Sequence, residues 1–334
     1  MPRATQRAAL DRVQHIMISM AARYRGTRRV MAGAGRLLSD AAERGSALAQ
    51  ARSAGVADTY DGSYFGEGRD ASGDRAGRSG YARYDRIASN ADIAGWMLWR
   101  NFRVHNALDV GCATGFLVEV FRELGIDAVG CDLSRYAVDH ATPGAVGHIR
   151  VASLFSGLPW PDGHFELVTV LETLEHLPPD SVPIALRELR RVCGAYLYAT
   201  IPSFGRNVSG PDGHFEGKVR PELVVEYAAH GPGYAGPVPK EDLEVDAEGR
   251  PIEGHLTIAS FDWWTDRFAE AGFSRCPDIE RRLYADIEPA DLAPFWNLYV
   301  FRVPSASGDL VEPREPDRVL AELGLRHPLL EVER

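Results

Sequence analysis

The side chains best suited to proton or metal chemistry stand close together at residues 172–176, Glu-Thr-Leu-Glu-His. If this segment turns helically, Glu172 and Glu175 share one face and His176 lies beside them. A second imidazole, His255, follows far along the chain. Imidazoles and carboxylates can remove a proton from a substrate, and together they suit Mg²⁺ or Mn²⁺. Three roles stay open for this set: metal ligands, a metal-free base at His176, or ordinary structural residues.

A glycine-rich turn earlier in the chain has the form of a nucleotide-binding corner. Residues 105–110 predict a short buried strand, which leads into Gly111, Ala113 and Gly115. A helix is then predicted to open at Phe116. Glycines let the backbone approach a ligand, and the first amide groups of a helix point at it. The Gly-x-x-x-Gly spacing differs from the Gly-x-Gly-x-x-Gly of dinucleotide binders, which disfavours a dinucleotide oxidoreductase.

Acidic residues end the first two predicted strands. Asp109 lies two residues before Gly111, where it could accept hydrogen bonds from a cationic amino group or from the loop's own amides. Residues 126–132 predict a second buried strand that ends at Asp132, 21 residues after Gly111. In nucleotide-binding folds an acidic residue meets a ribose hydroxyl at about this ~20-residue interval.

Residues 105–203 resemble the class I S-adenosylmethionine-dependent methyltransferases. Residues 109–115, Asp-Val-Gly-Cys-Ala-Thr-Gly, match motif I of that family, an acidic residue followed by x-Gly-x-Gly-x-Gly. The chain departs from this motif at the middle glycine, which is Ala113. We expect the loop to form with alanine if this position does not need a positive φ. Residues 158–168 are similar to the family's approach to strand four.

This resemblance implies a binding site for S-adenosylmethionine at the carboxyl ends of the strands. Asp132 would meet the ribose hydroxyls, and Ser153 would lie beside the adenine. The predicted cofactor-binding residues are Asp109, Gly111, Ala113, Gly115, Asp132, Leu133, Ser153, Leu154 and Glu172.

The Glu-x-x-Glu-His pattern with a distant histidine resembles metal-dependent O-methyltransferases, which include small-RNA 2′-O-methyltransferases and ubiquinone-pathway O-methyltransferases. The resemblance implies a Mg²⁺ or Mn²⁺ site formed by Glu172, Glu175, His176 and His255. The segment Leu-Glu-His-Leu is nevertheless common in the superfamily, where its histidine often only lines the site. We predict His176 and His255 as catalytic residues, with His176 as the base if no metal is bound.

The composition is that of a globular chain with an acidic surface. Of its 334 residues 45% are hydrophobic, and the formal net charge is −10. That charge disfavours nucleic acid as the main partner. No apolar run reaches membrane-spanning length, and the N-terminus shows no signal pattern. The four cysteines show neither pairing nor metal spacing, which is typical of a cytoplasmic protein.

Changes in composition divide the chain into segments. Residues 1–52 predict a basic, helical N-terminal arm that packs on the domain or on the sister subunit of a homodimer, or that contacts an anionic membrane surface. Residues 53–104 predict an aromatic-containing cap loop and a leading helix. The methyltransferase domain follows at 105–303, with a long lid insertion after strand five at 203–257. Residues 304–334 form a charged tail.

Strands and helices alternate in the main domain, which predicts an α/β fold with a doubly wound, mostly parallel sheet. The family's form has seven strands, the last of them antiparallel. We expect the leading helix at 84–102 and a helix at 182–192. The last two strands are predicted near 276–285 and 295–303.

These patterns predict a cytoplasmic S-adenosylmethionine-dependent methyltransferase that acts on a small-molecule or glycan-linked acceptor, most simply at oxygen. The long insertion, the aromatics and the acidic surface favour a sugar-type acceptor. An N-methyltransferase of a natural-product or amino-sugar pathway is one alternative. A non-catalytic ligand-binding subunit is another, although the intact glycine loop and Asp132 argue against it.

Overall fold

The arm at 1–52, most of the cap loop, a predicted hairpin at 243–252 and a predicted tail helix at 315–323 lie outside the residues that the structure describes. In this computed structural model the described residues are 60–62, 64–65, 84–210, 255–287 and 297–314.

The described chain alternates helices with strands. The helices are α1 Ala91–Asn101, α2 Phe116–Glu123, α3 Arg135–Asp139, α4 Val182–Val192, α5 Phe261–Glu270 and α6 Pro277–Ile287. The strands are β1 Asn106–Val110, β2 Asp127–Asp132, β3 Ile149–Val151, β4 Phe165–Leu171, β5 Cys193–Thr200, β6 Ser203–Phe204, β7 Ala259–Ser260, β8 Ser274–Arg275 and β9 Leu298–Arg302. None of these helices combines the length and the apolar character required to cross a membrane.

Seven strands form one sheet in the order β3-β2-β1-β4-β5-β9-β8. Strands β1 to β5 pair in parallel, and β9 runs antiparallel to both β5 and β8. This confirms the predicted doubly wound, mostly parallel sheet with an antiparallel last strand. The strand order reverses between β1 and β4, and in such sheets ligands bind at the carboxyl ends of the strands beside this reversal.

Helices cover both faces of the sheet over two apolar clusters. In α4 the buried residues recur at intervals of three and four, so one stripe of the helix faces the strands while Arg190 and Arg191 stay outside. That stripe consists of Val182, Ala185, Leu186, Leu189 and Val192. Full burial of each leucine contributes about 1.5–3 kcal/mol, which holds α4 against the sheet.

The predicted strand at 276–285 is wrong, because this segment forms helix α6. Pro277 opens the helix and Asp278 stands in its first turn, and both choices favour a helix N-terminus. The strand that precedes β9 is instead β8, which has only two residues. The buried positions of α6 recur at helical spacing: Glu280, Leu283, Tyr284 and Ile287.

The leading helix starts later than the predicted residue 84. Residues 86–90 form turns, and Ile87 is 85% exposed. Asn90 immediately before α1 has φ 53, a left-handed conformation that a continuous helix cannot contain. The apolar stripe therefore begins at Ala91.

A small second sheet joins the two ends of the long insertion. β6 and β7 pair in parallel, with Ser203 beside Ala259 and Phe204 beside Ser260. The sequence analysis does not predict this pairing. It places the segment that begins at His255 next to the main sheet.

A buried ion pair anchors the first end of the insertion. Arg275 Nε donates to Glu280 Oε1 at 2.9 Å, and the side chains are 7% and 0% exposed. Arg275 also donates to Asn207 Oδ1 at 2.8 Å, and Ser209 Oγ donates to Glu280. The backbone amide of Val300 in β9 donates to Glu280 Oε1 at 2.9 Å. The buried charge is therefore paired and hydrogen-bonded, as burial requires.

Candidate active site

The loop after β1 needs glycine at its first position. Gly111 has φ 77, and a Cβ there would overlap with the side chain of Thr173. The amide of Gly111 donates to the carbonyl of Cys131 at 2.8 Å, which ties the loop to the end of β2. Gly115 has φ 87 and caps the N-terminus of α2. The predicted strand, glycine turn and helix start are therefore present.

Ala113 has φ 48. The sequence analysis expects the loop to survive alanine at this position if no positive φ is needed, and that condition is not met. The loop nevertheless forms with alanine in the left-handed region, at a cost of about 1–2 kcal/mol relative to glycine. The amide of Ala113 donates to Asp132 Oδ2 at 2.8 Å. This charge-assisted hydrogen bond helps to hold the strained conformation.

Asp132 lies at the carboxyl end of β2, beside the glycine loop. Its carboxylate accepts from the amides of Ala113 and Ser134, each at 2.8 Å. Burial raises the pKa of Asp132, and these backbone hydrogen bonds oppose the shift. Each carboxylate oxygen can accept a further hydrogen bond, so the group can still receive ribose hydroxyls.

The residues predicted near the adenine lie beside the end of β2. The amide of Ala152 donates to the carbonyl of Asp132 at 3.0 Å, which places Ser153 directly beyond the β2–β3 pair. Ser153 Oγ accepts from the amide of Phe155 at 3.2 Å. Leu154 is buried, and Leu133 is half-buried. Their contacts with a cofactor stay a prediction.

Asp109 is buried at the end of β1 and accepts a hydrogen bond from Thr169 Oγ1 of β4 at 2.7 Å. The sequence analysis expects loop amides or a ligand amino group and misses this partner. Burial raises the pKa of Asp109 to about 7, while the bond from Thr169 and the nearby Asp132 act in opposite directions. A cation bound nearby would lower the pKa of Asp109 again and favour its ionised form. The buried carboxyl group is therefore suited to a cationic ligand.

Three of the four proposed activating residues converge. Glu175, His176 and His255 each offer a ligand atom, and these atoms lie within 4.8 Å of one another. The two imidazole rings stand 5.1 Å apart between centroids and nearly perpendicular, at 84°. Glu175 is fully buried. The amide of Thr257 donates to the carbonyl of Glu175 at 2.9 Å, and this contact brings the His255 segment to the end of β4.

Glu172 is not part of this three-residue group. The expected helical face does not form, because the segment makes a single 3-10 turn at Leu174–His176. Glu172 precedes that turn with φ 46, and its amide donates to the carbonyl of Thr200 in β5 at 2.9 Å. Two non-glycine residues with positive φ, Ala113 and Glu172, thus stand at the ends of β1 and β4, where strain is typical of functional sites.

An aromatic segment from the cap loop reaches the same edge of the sheet. The carbonyl of Tyr60 accepts from Ser134 Oγ at 2.5 Å, and its ring lies 6.3 Å from the His176 ring. Tyr64 packs edge-on against Tyr60 at 4.8 Å. The sequence predicts a loop at 53–82, with Tyr60 among its aromatics, that closes over the sulfonium ligand or the acceptor, but it gives Tyr60 no role of its own. The signal available is the grouping of three aromatics, Tyr60, Tyr64 and Phe65.

Comparison with known proteins covers the central part of this chain. Residues 108–195 match the family described as Methyltransferase domain. The ubiquinone biosynthesis O-methyltransferase of Methylococcus capsulatus is 36% identical over 104 residues, which are 28% of this chain and 43% of that protein. The protein of the same name from Ralstonia nicotianae is 34% identical over 128 residues, which are 36% of this chain and 49% of that protein.

The chain thus spans less than half the length of these two curated relatives, at 43% and 49%. Among solved structures, a SAM-dependent methyltransferase from Methanosarcina mazei is similar with a TM-score of 0.37 and 18% identity. That match covers 59% of this chain and 92% of the other.

Proposed function

We propose that this protein, whose central domain belongs to the class I S-adenosylmethionine-dependent methyltransferases, transfers a methyl group from S-adenosylmethionine to an acceptor hydroxyl. The observation that carries the proposal is the convergence of Glu175, His176 and His255 within 4.8 Å at the end of β4. An alcohol has a high pKa, so methylation at oxygen usually needs a general base or a metal. The two relatives are named O-methyltransferases, which supports oxygen as the acceptor atom.

The described residues fit the cofactor in shape and charge. Gly111 and Gly115 adopt positive φ values, which lets the backbone of this loop turn tightly and approach a ligand closely. The buried Asp109 and the half-buried Asp132 complement a ligand that carries a sulfonium and an amino group. Bound S-adenosylmethionine supplies the reactive methyl group, and the protein supplies position and a dry, preorganised surrounding.

In this proposal the imidazoles act on the acceptor. A ring nitrogen of His176 or His255 takes the hydroxyl proton as the oxygen attacks the methyl carbon. The fully buried Glu175 holds the imidazoles in orientation and stabilises the positive charge that protonation gives them. Thr257 keeps the His255 segment in place through its bonds to the carbonyls of Glu175 and Leu177.

We further propose that Glu175, His176 and His255 can hold Mg²⁺ or Mn²⁺. One carboxylate and two imidazoles form a donor set that suits such ions, with the imidazoles favouring Mn²⁺. Bound there, the ion would lower the pKa of the acceptor hydroxyl. The predicted fourth ligand, Glu172, is omitted because it lies outside the three-residue group.

The first test is transfer of labelled methyl groups from S-adenosylmethionine into a panel of phenols, alcohols and sugars, read by mass spectrometry. His176→Gln should lower the rate about 10²–10⁴-fold, because it removes a proton acceptor. His164→Gln is the matched control, since His164 is exposed and lies at the opposite end of β4. If wild-type protein binds the cofactor but methylates only amines, oxygen as the acceptor atom is wrong.

The second test separates the metal from the base. If the imidazoles coordinate an ion instead of taking the proton, chelation should abolish transfer, and Mn²⁺ or Mg²⁺ should restore it in wild-type protein but not in His255→Gln. An unchanged rate after chelation would overturn the metal site and leave His176 as a base. The sugar-type acceptor stays a prediction, because it depends on the insertion at 203–257, of which only the ends are described.

A further inference from the structure

Tyr60 lies between the two halves of the candidate site. On one side its backbone carbonyl is bonded to Ser134, two residues beyond the predicted ribose-binding Asp132. On the other side its ring lies 6.3 Å from the His176 ring, at an interplanar angle of 90°. Tyr60 comes much earlier in the chain than either Ser134 or His176. Folding, and not the sequence neighbourhood, therefore brings it to the site.

Ser134 fixes Tyr60 to the cofactor side. This serine is fully buried, and its amide donates to Asp132 Oδ1 at 2.8 Å. Its hydroxyl accepts from the amide of Ala137 at 3.0 Å and donates to the carbonyl of Tyr60 at 2.5 Å. The backbone of Tyr60 is therefore held at a set distance from the Asp132 carboxylate.

Neighbouring aromatics brace the ring of Tyr60 on the acceptor side. Tyr64 contacts it edge-on, with centroids 4.8 Å apart. Phe65 faces away and stacks on Tyr136 of α3 at 5.8 Å. The segment thus anchors itself through Phe65 and presents Tyr60 towards His176.

We propose that the Tyr60 ring binds the sulfonium of S-adenosylmethionine and so distinguishes the cationic cofactor from its neutral product, an inference that rests on the proposed function. The sulfonium is bonded to the ribosyl group and carries the methyl that leaves, so it must lie between the Asp132 side and the His176 side. Tyr60 spans that interval. An aromatic face attracts a cation within about 6 Å of its centroid and gives a neutral thioether no comparable attraction.

This role has a consequence for turnover. Methyl transfer converts the sulfonium to a neutral thioether, so the attraction to the ring ends with the reaction. The product is then held by its ribose, adenine and amino-acid contacts alone. Tyr60 would favour binding of the substrate form without delaying release of the product.

The test compares dissociation constants for S-adenosylmethionine and S-adenosylhomocysteine by calorimetry in the full-length protein. Tyr60→Leu removes the ring and should weaken binding of the cation about 2- to 30-fold while the neutral product binds as before. Tyr60→Phe keeps the ring and should keep the preference. Trp160→Leu is the control, because it removes an aromatic that packs on Phe165 at the opposite end of β4 from the site.

A second series preserves the shape of the ring and guards against misfolding. Increasingly fluorinated phenylalanines at position 60 should weaken cation binding step by step, because fluorine withdraws charge from the ring face. Equal weakening of both ligands, or of neither, overturns the inference while the proposed function stands. Wild-type protein that binds neither ligand overturns the proposed function itself.

Discussion

At the scale of single residues, Asp109 makes stability depend on pH. Its folded-state pKa of about 7 lies above the ordinary value of 3.8, because burial disfavours the charged form. The folded protein therefore keeps a proton that the unfolded chain releases, and this contribution to stability is complete below about pH 4. It is lost as the pH rises through 7.

Asp109→Asn should flatten this dependence. Asparagine keeps an acceptor for Thr169 but cannot ionise, so its free energy of unfolding should fall less between pH 4 and pH 7. The difference is roughly 1.4 kcal/mol for each unit of pKa shift at most. Urea unfolding at several pH values measures it. Parallel curves for the two proteins would show that Asp109 does not carry the effect.

Gly111 offers a prediction about the glycine loop. Gly111→Ala should destabilise the protein by about 1–2 kcal/mol for backbone strain, plus about 1–3 kcal/mol for the overlap with Thr173. Gly125→Ala is the matched control, because Gly125 has φ 81 and a Cβ added there would meet no atom within 4 Å. Thermal unfolding should show a larger loss at position 111, and Thr173→Ala should recover part of it. Equal losses at both positions would exclude the overlap.

At the scale of elements, breaking the ion pair at the first end of the insertion should destabilise the fold strongly, because it leaves one buried charge without its partner. Glu280→Ala leaves Arg275 buried without its carboxylate and should cost about 3–5 kcal/mol. Glu270→Ala breaks the exposed pair with Arg267 and should change stability by less than about 1 kcal/mol. Urea unfolding of the two variants measures both effects. A small loss for Glu280→Ala would mean that water or a neighbour replaces the carboxylate.

This ion pair also explains which elements could be predicted. The sequence analysis places α4 with the observed bounds because its buried stripe is purely apolar. It misses α6 because the buried face includes Glu280, whose charge interrupts the apolar pattern. Arg275, which pairs with Glu280 and so permits its burial, belongs to β8. The helical pattern of α6 alone does not reveal this partner.

At the scale of the whole molecule, the candidate site combines local and distant contacts. Local patterns locate the glycine loop, Asp132 and the pair Glu175 and His176, because each signal lies within a few residues of a strand end. The contact between Ser134 and Tyr60 joins positions 74 residues apart. No periodic pattern in the sequence predicts this contact, because the contact depends on the path of the folded chain over the sheet. The convergence of His255 on His176 is a sequence prediction made from a family pattern, and the geometry agrees with it.

The pairing of β6 with β7 brings the two ends of the long insertion to one place. A segment with joined ends can lengthen, shorten or be exchanged without moving the sheet, because each doubling of a loop's length adds only about 0.6 kcal/mol of closure entropy. His255 lies just before β7, and the bonds of Thr257 to the carbonyls of Glu175 and Leu177 hold its segment against the end of β4. Residues 211–254 can therefore change in length or sequence during evolution while the imidazole pair stays where it is.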